Sequence, residues 1–465
     1  MTLDYLIIGA GPSGLMIHSE LAKIYKGIVL ETGEEVLTKK EHIYSKYQIK
    51  NAYRFSGLNL LIGRPPLLLS EGKAIGGGSA VNSSLHHRTP NHIWAKWKTY
   101  YGLKGFNPSH INQMYDEIES MYKLSLSSNE LPPFYRYASE TYKVETIPRW
   151  GKQLNDNFIR RTALDLIKDN NPKLINSILS RHHVTDIKRN NCGSFLIKGI
   201  IKSKFGSEIS RKKEFFSFKT KKLFICAGAG VTPILLSKLG YRHRNLGKFQ
   251  VHPTARISLV PRDPYPFKEI VEPFQITEFF PYIMIGSSAN RDYLSKSNFP
   301  FYESKDIDFN SCMNLYSMAP SEKKGKIFLN KPLRGLRTYF LSREANLNIK
   351  KGINIILDIA IKSDYFTHAF SSSGIISLKS KSNSKLNKFI DNTISSTLSS
   401  VHIFSSAAAG ENKKVCPINS DGSVPGIPNV YVMDQSILPT CPTVNPQATT
   451  CVFALSLIRK YINRL

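Results

Sequence analysis

The sequence lacks the features typical of membrane-spanning, metal-binding or exported proteins. No run of about 18 apolar residues is present, so a membrane-spanning helix is not expected. The six cysteines contain no C-x-x-C pair and no spacing typical of zinc sites, which predicts reduced thiols and no metal site. No targeting segment precedes the first apolar strand, which begins within five residues of Met1, and we therefore expect a cytoplasmic protein.

Acidic side chains are scarce. The chain has 63 Lys and Arg against 35 Asp and Glu, which gives a formal net charge of +28. This excess is scattered along the chain, and no basic and aromatic strand or other nucleic-acid-binding motif accompanies it, so no specific nucleic-acid partner is expected. Two interpretations stay open: a drift of composition, and a basic face that attracts an acidic substrate, a polymer or a membrane surface.

The first part of the chain carries the pattern of a dinucleotide site. An apolar strand at 4–8 leads into a G-x-G-x-x-G sequence and then a helical run, and a second apolar run ends at Glu31, 22 positions after Gly9. Glycines allow the backbone to approach a pyrophosphate at a helix N-terminus, and the carboxylate suits a ribose hydroxyl. The residues predicted to bind the dinucleotide are Gly9, Gly11, Pro12, Ser13, Gly14 and Glu31. An ordinary glycine-rich turn in a β-α-β unit is the alternative.

The C-terminal pattern is the most specific one. His402 and Asn445 lie 43 positions apart. An apolar strand at 429–433 and a turn that begins at Asp434 lie between them, and an apolar helix follows Pro446. This arrangement resembles the catalytic end of the glucose–methanol–choline (GMC) flavin oxidoreductases, which take a hydride from an alcohol carbon. The run that begins at His402 departs from the family sequence at 405, 406 and 409.

Two upstream segments resemble the same family. Residues 76–82 are similar to its glycine-rich loop over the flavin, with Gly78 where Ser is common, and residues 224–236 are similar to its second signature, a strand leading into a helix. A loop without side chains lets backbone amides approach phosphates and the flavin edge. The resemblance assigns FAD contacts to Gly76, Gly77, Gly78, Ser79, Asn82, Val184, Ala227, Gly228, Asp434, Pro446 and Gln447.

The resemblance also implies roles in catalysis. Oxidation of an alcohol requires removal of the hydroxyl proton while hydride leaves the same carbon for flavin N5, and His402 is the expected base because imidazole titrates near neutral pH. Asn445 is expected to hydrogen-bond the substrate oxygen and orient it. A structural alternative for Asn445 is the N-cap of the helix that follows it.

The predicted fold class is α/β, with a Rossmann-like FAD-binding domain that is discontinuous in sequence and a second α+β substrate domain built on an antiparallel sheet. A chain of 465 residues is long enough for about two such domains. Residues 1–100, 159–255 and 396–465 are assigned to the FAD-binding domain, 101–158 to a covering segment, and 256–395 to the substrate domain. The expected partner is a small-molecule alcohol, with sugars and acidic compounds both open, and the electron acceptor is not specified.

Three alternatives to an FAD-dependent alcohol oxidoreductase stay open. A nicotinamide-dependent dehydrogenase would share the first motif but not the other three. A lyase or another GMC relative without redox turnover is suggested by the altered run after His402. A basic flavoprotein that binds an acidic polymer is suggested by the net charge of +28.

Overall fold

The structure is a computed structural model that describes residues 2–35, 45–126, 131–154, 157–203, 214–263, 273–287, 311–379, 382–396 and 398–464. The predicted substrate domain is therefore described except at 264–272, 288–310 and 380–381.

The strands are numbered in chain order. They are β1 (Thr2–Ile8), β2 (Gly27–Leu30), β3 (Leu60–Leu61), β4 (Leu67–Leu69), β5 (Leu124–Ser125), β6 (Val144–Thr146), β7 (Arg149–Leu154), β8 (Asn157–Arg160), β9 (Ile178–Leu179), β10 (His182–Arg189), β11 (Phe195–Ile201), β12 (Glu214–Ile225), β13 (Lys248–Val251), β14 (Thr254–Pro261), β15 (Phe274–Ile276), β16 (Met284–Ser287), β17 (Met313–Met318), β18 (Gly325–Ile327), β19 (Arg337–Thr338), β20 (Phe366–Ser371), β21 (Gly374–Ser377), β22 (Leu398–Ser400), β23 (Ile403–Phe404) and β24 (Val430–Val432).

The helices are numbered in the same way. They are α1 (Pro12–Leu21), α2 (Lys46–Ala52), α3 (Gly78–Val81), α4 (Asn91–Tyr100), α5 (Pro108–Tyr122), α6 (Pro133–Ser139), α7 (Ala163–Asn170), α8 (Thr232–Lys238), α9 (Arg343–Ser363), α10 (Asn383–Ser396) and α11 (Gln447–Ile462), with 3₁₀ turns at Arg54–Gly57, Pro172–Ser177 and Gln435–Ile437.

The first sheet joins strands from the beginning, middle and end of the chain. Its order is β10-β11-β12-β1-β2-β9, and β24 pairs with the second half of β12. Strands β1, β2, β12 and β24 run parallel where they pair. Tyr5, Leu6 and Ile7 are all fully buried, as expected for a parallel strand covered on both faces. This is the Rossmann-like part of the predicted fold.

The second sheet is mostly antiparallel. Its order is β3-β4-β22-β14-β17-β16-β15-β6, and β20 extends it from β14. One face packs on α9, where Ile349, Ile353 and Ile356 contribute to one buried core with Ile257 and Leu315 of the sheet. The predicted fold class is confirmed. The domain boundaries stay a prediction, and β3, β4 and β6, which lie before residue 159, belong to this second sheet.

Helix α9 illustrates how the sequence encodes its element. Ser342 is the N-cap, and its hydroxyl accepts from the amide of Ala345 at 3.1 Å, while Glu344 places a negative charge in the first turn. The helix ends where Asp364 adopts a left-handed conformation with φ of 49°. The apolar positions between these two signals repeat with the helical period, so one face is buried against the sheet.

Two further predictions concern the whole chain: the state of the cysteines and the possibility of a membrane-spanning helix. All six cysteines are free, with Cys192 exposed and the other five buried. Across the ranges listed above, no helix combines the length and apolar character needed to cross a membrane.

A buried ion pair connects distant segments around the second sheet. Arg337 of β19 donates to the carboxylate of Glu71 and also, at 3.0 Å, to the carbonyl of Gly230. Asn59 donates to the same carboxylate at 2.6 Å. Burial alone would raise the pKa of Glu71, but Arg337 and Arg54 beside it lower that pKa below its ordinary value. The ionised pair therefore ties the loop before α8 to the edge of the second sheet.

We predict that Glu71→Ala lowers the free energy of unfolding by about 3–5 kcal/mol, because Arg337 stays buried and charged without its partner. Combining Glu71→Met with Arg337→Met should recover much of that loss, since the buried charge of Arg337 is removed together with its partner. Denaturant unfolding followed by circular dichroism measures both. The stabilisation should be complete above pH 4.5, the ordinary pKa of glutamate, and be lost as the pH falls below it.

The control is Lys143→Ala, which breaks an exposed ion pair with Glu145 and should leave stability nearly unchanged. Equal unfolding free energies for Glu71→Ala and this control would contradict a structural role for the buried pair.

Candidate active site

The predicted dinucleotide motifs meet at the C-terminal edge of the first sheet. The amide of Gly76 donates to the carbonyl of Ala10 at 2.8 Å, so the second glycine loop lies on the first. Glu31 accepts from the amides of Ala10 at 2.9 Å and Gly33 at 2.8 Å. Burial raises the pKa of this carboxyl group. The structure thus brings the predicted glycines and the predicted ribose-binding carboxylate together.

The glycines of these loops are needed for two different physical reasons. A Cβ on Gly9 would lie 2.2 Å from the carbonyl oxygen of Cys226, and one on Gly14 would lie 2.0 Å from that of Gly9, so both serve the packing of the turn. A Cβ on Gly11 would meet nothing closer than 3.9 Å, and one on Gly78 or Gly228 would meet nothing within 4 Å. Open space in front of three glycines fits the close approach of a dinucleotide to the backbone.

The start of α1 suits an anion. Pro12 occupies its first position, Gly11 is its N-cap, Ser13 is buried, and no acidic residue lies in its first turn. The buried Ser79 supports the second glycine loop, because its hydroxyl donates to the carbonyl of Gly76 at 2.7 Å and accepts from the amide of Ala163 at 2.9 Å.

Val184 lies in β10, close to the point where this strand is hydrogen-bonded to the backbone of Glu31. The amide of His182 donates to the carbonyl of Glu31 at 2.8 Å, two residues before Val184. The side chain of Val184 is buried in the core of the first sheet, and the pairing with β11 shifts between Val184 and Asp186. A backbone contact between Val184 and an adenine ring stays a prediction.

The carboxylate of Asp434 is used within the protein. It accepts from the amide of Gly228 at 2.8 Å, from the hydroxyl of Thr232 at 2.6 Å, and from both the amide and the hydroxyl of Ser436. Burial raises the pKa of Asp434. Because these hydrogen bonds occupy the carboxylate, a contact of Asp434 with a cofactor would be made by its backbone, and this contact stays a prediction. The same carboxylate fixes the turn at Ala227 and Gly228 through the amide of Gly228.

The start of α11 offers unpaired donors. Asn82 donates to the side-chain oxygen of Gln447 at 2.5 Å, while the buried Nε2 of Gln447 has no partner among the described residues. Pro446 is the N-cap, the amide of Thr450 donates to its carbonyl at 2.8 Å, and no side chain caps the helix. The N-cap interpretation of Asn445 is therefore wrong. An uncapped helix start and a free amide group fit the carbonyl oxygens of FAD.

His402 belongs to a chain of three polar side chains. Its Nδ1 lies 3.0 Å from Nδ1 of His252, and Nε2 of His252 is hydrogen-bonded to the sulfur of Cys441. The amide of Thr443 also donates to that sulfur at 3.3 Å. This chain leads from His402 to the loop that carries Asn445, although no hydrogen bond joins these two side chains. Sequence analysis assigned no role to Cys441 or to His252.

The three histidines around this point are neutral at neutral pH. Burial, and to a lesser extent His87, lowers the pKa of His402 to about 3. Burial and the neighbouring His402 lower the pKa of His252 well below its ordinary value. Burial lowers the pKa of His87 to about 4. Because burial also raises the pKa of the Cys441 thiol, the whole group is uncharged.

The hydrogen-bond chain determines which nitrogen of His402 carries the proton. If Nδ1 of His402 donates to His252, and Nε2 of His252 donates to the sulfur, then Nε2 of His402 keeps a lone pair and can accept a proton. If the thiol donates instead, both histidines change tautomer and Nε2 of His402 becomes a donor. The tautomers of the two histidines therefore decide whether Nε2 of His402 accepts or donates a hydrogen bond.

A second hydrogen-bond chain, also missed from the sequence, leads away from the histidines into the second sheet. Nε2 of His87 is 2.9 Å from Oε1 of Gln275, and Gln275 donates to the hydroxyl of Tyr316 at 2.8 Å. Gly286 lies between them, and a Cβ there would come within 2.9 Å of that hydroxyl. No local motif marks these residues, because strand pairing alone brings them together.

Comparison with known proteins finds relatives along the whole chain. Two family models, both described as GMC oxidoreductase, match residues 3–164 and 338–454. A GMC-type oxidoreductase of Sinorhizobium fredii is 25% identical over 490 residues, which cover 98% of this chain and 93% of that protein. Long-chain-alcohol oxidase FAO4A of Arabidopsis thaliana is 20% identical over 501 residues, covering 96% of this chain and 66% of the oxidase.

Solved structures share the fold. Pyridoxine 4-oxidase from Mesorbium loti superimposes with a TM-score of 0.74 at 14% identity and covers 99% of each chain. Formate oxidase of Aspergillus oryzae also gives 0.74, at 11% identity, over 100% of this chain and 99% of its own. At these identities the likeness shows a common fold alone.

We predict that Gly11→Val yields a folded protein without FAD, because the new side chain enters the open space in front of the loop. Gly77→Val should also lower the melting temperature, because φ there is +52° and a Cβ would lie 2.7 Å from the Cα of Gly11. The ratio of flavin to protein absorbance and thermal unfolding measure the two effects.

The control is Gly193→Val in the turn between β10 and β11. Its φ is +78° and its Cβ would meet nothing within 4 Å, so it tests backbone strain away from the loops. This variant should keep its full FAD content. Full FAD content in Gly11→Val would show that this loop does not bind the cofactor.

Proposed function

The chain belongs to the GMC oxidoreductase family, whose cofactor is FAD, and on this premise we propose that it oxidises the CH–OH group of a small alcohol. One observation carries the proposal. His402 is a neutral imidazole whose Nδ1 is used by His252, and its Nε2 has no hydrogen-bond partner among the described residues. Such a group is prepared to take a proton from a substrate.

His402 would act as the base at its Nε2 atom. The tautomer that leaves this atom free requires Nδ1 of His402 to donate to His252, and Nε2 of His252 to donate a hydrogen bond to the sulfur of Cys441. Bound FAD would supply the acceptor for the hydride that leaves the alcohol carbon. Proton removal by a positioned imidazole typically accelerates such a reaction by roughly 10²–10⁴-fold.

Asn445 would hold the substrate oxygen. It lies in the segment between Thr443 and the start of α11, and it is only partly buried. An amide group donates a hydrogen bond without accepting the hydroxyl proton, so Asn445 would orient the alcohol while His402 acts on it.

The same residues argue for redox turnover over the other interpretations. A nicotinamide-dependent dehydrogenase would need only the first glycine motif, whereas both glycine loops and the start of α11 are compatible with FAD. A lyase or other non-redox relative would not bleach the flavin in the presence of an alcohol. Anaerobic flavin reduction therefore separates these functions.

We predict that His402→Ala keeps its FAD and its fold but reduces flavin roughly 10²–10⁴-fold more slowly, because the substrate proton has no acceptor. Asn445→Ala should slow the reaction less and leave stability unchanged, since Asn445 does not cap α11. Rapid mixing of each holoenzyme with alcohols under anaerobic conditions measures the rate.

A matched control is His92→Ala, which removes an exposed imidazole from the surface of α4. It should reduce flavin at the rate of the unmodified protein. An unchanged rate in His402→Ala would move the base to His86, His87 or His252.

We predict that the rate constant of flavin reduction divided by the substrate dissociation constant is independent of pH from about 5 to 8. A histidine with its pKa lowered to about 3 holds its proton-accepting form throughout this range and loses it only as the pH falls further. The pH profile measured by rapid mixing tests this. A decline centred near 6.5, the ordinary pKa of histidine, would contradict the buried, neutral assignment of His402.

A further inference from the structure

The two faces of the second sheet differ. One face packs on the apolar core, and the other carries polar side chains. Along β14 the core positions are Ala255, Ile257 and Leu259, so Arg256 between them points to the other side. Arg256 pairs in register with Tyr316 of β17. Across the sheet, Tyr316 receives the hydrogen bond from Gln275. Arg256, Tyr316 and Gln275 therefore form one row on the polar face.

Arg256 is a cation without a partner on this face. Its Nε is buried and has no hydrogen-bond partner among the described residues. Arg262, just beyond the end of the same strand, is exposed and pairs with Asp364 at 2.7 Å. Glu145 lies opposite Gln275 in the strand pairing, and its carboxylate pairs with Lys143 at 2.8 Å. Arg256 as a whole is partly buried, and a buried donor of a cationic group that has no acceptor is costly unless a ligand supplies one.

The row leads to the histidines of the active site. Gln275 links Tyr316 to His87, which lies close enough to His402 to contribute to the lowered pKa of that residue. Along the chain, Thr254 lies between His252 and Arg256 and on the same face of β14 as Arg256. Four residues of extended chain span at most about 14 Å, so the backbone of Arg256 lies within that distance of His252.

Apolar side chains lie next to Arg256 on this face of the sheet. Met318 pairs in register with both Thr254 and Met284, and the buried Met284, Tyr316 and Met318 form one cluster. Apolar neighbours reduce the screening of a charge, so an anion that reaches Arg256 interacts with it more strongly than at the surface. Methionines accommodate an alkyl chain without a demand for hydrogen bonds.

We propose that Arg256 binds an anionic group of the alcohol substrate, so that the substrates are hydroxy acids or hydroxyalkyl phosphates with the anion at the end away from the carbinol. A guanidinium suits either group, because it donates two parallel hydrogen bonds to carboxylate or phosphate oxygens. The substrate role rests on the alcohol oxidation proposed above, whereas anion binding at Arg256 does not require turnover.

Anion binding is tested on the oxidised holoenzyme without any reaction. Butanoate and propyl phosphate, with butanamide as the uncharged analogue, are titrated while the flavin absorbance is followed. At least one anion should bind roughly tenfold or more tightly than butanamide, and Arg256→Met should weaken that anion by roughly 10- to 100-fold. Arg256→Lys should retain part of the affinity, because it keeps the charge and loses the paired donors.

The matched control is Arg262→Met, which removes an exposed arginine from the end of the same strand and should leave all affinities unchanged. The comparison of butanoate with propyl phosphate decides which anion the site takes. Equal affinity of the unmodified protein for butanoate, propyl phosphate and butanamide would overturn the proposal, and so would unchanged anion affinity in both Arg256 variants.

The substrate role is tested by anaerobic flavin reduction with 4-hydroxybutanoate, 3-hydroxypropyl phosphate and 1,4-butanediol. The preferred anionic alcohol should have a lower dissociation constant than the diol, and Arg256→Met should remove that preference, whereas Arg262→Met should keep it. Reduction by the diol with no preference for either anion would overturn the Arg256 proposal and leave alcohol oxidation standing. Anion binding that depends on Arg256 without reduction by any alcohol would overturn alcohol oxidation instead.

Discussion

The buried carboxylate of Asp434 is the constraint on which the catalytic geometry depends. It receives hydrogen bonds from the turn after β12 and from Ser436 after β24, so the ends of two parallel strands are held at one point. The backbone of Ser436 then accepts from the amide of Ala407 at 2.9 Å. That contact places the segment that begins at His402 against the first sheet. A residue predicted to contact the cofactor thus also anchors the segments around it through its carboxylate.

Charge is kept out of the histidine group, and this has a chemical consequence. His87, His252 and His402 are each neutral mainly because of burial, and the thiol of Cys441 keeps its proton for the same reason. A proton taken up by His402 therefore enters a group of neutral, buried side chains, where the charge it brings is poorly solvated. The hydrogen bonds that join His402 to His252 and His252 to Cys441 polarise one another, and this polarisation partly stabilises the new charge.

The sequence allowed prediction where local patterns determine structure. The strand, turn and helix around Gly11 follow from apolar runs and glycine spacing within a few residues, and the second glycine loop from a similarly short pattern. The row of Arg256, Tyr316 and Gln275 could not be predicted, because it arises from strand register between segments up to about 60 positions apart, with a strand in between that must carry Gly286. The N-cap interpretation of Asn445 failed by one residue, since helix ends depend on backbone angles that a dipeptide does not specify.

The net charge of +28 and the single charge of Arg256 differ in what they imply about a ligand. Exposed lysines such as Lys168 and Lys221 already pair with carboxylates, and salt screens them beyond a Debye length of about 8 Å. They attract anions in general and select none. Arg256 lies beside a tyrosine hydroxyl and two methionines, with its Nε removed from solvent and unpaired. Selectivity toward an anionic alcohol would therefore follow from the strand register that leaves this one cation without a partner, and the scattered excess of charge would contribute only to the rate of encounter.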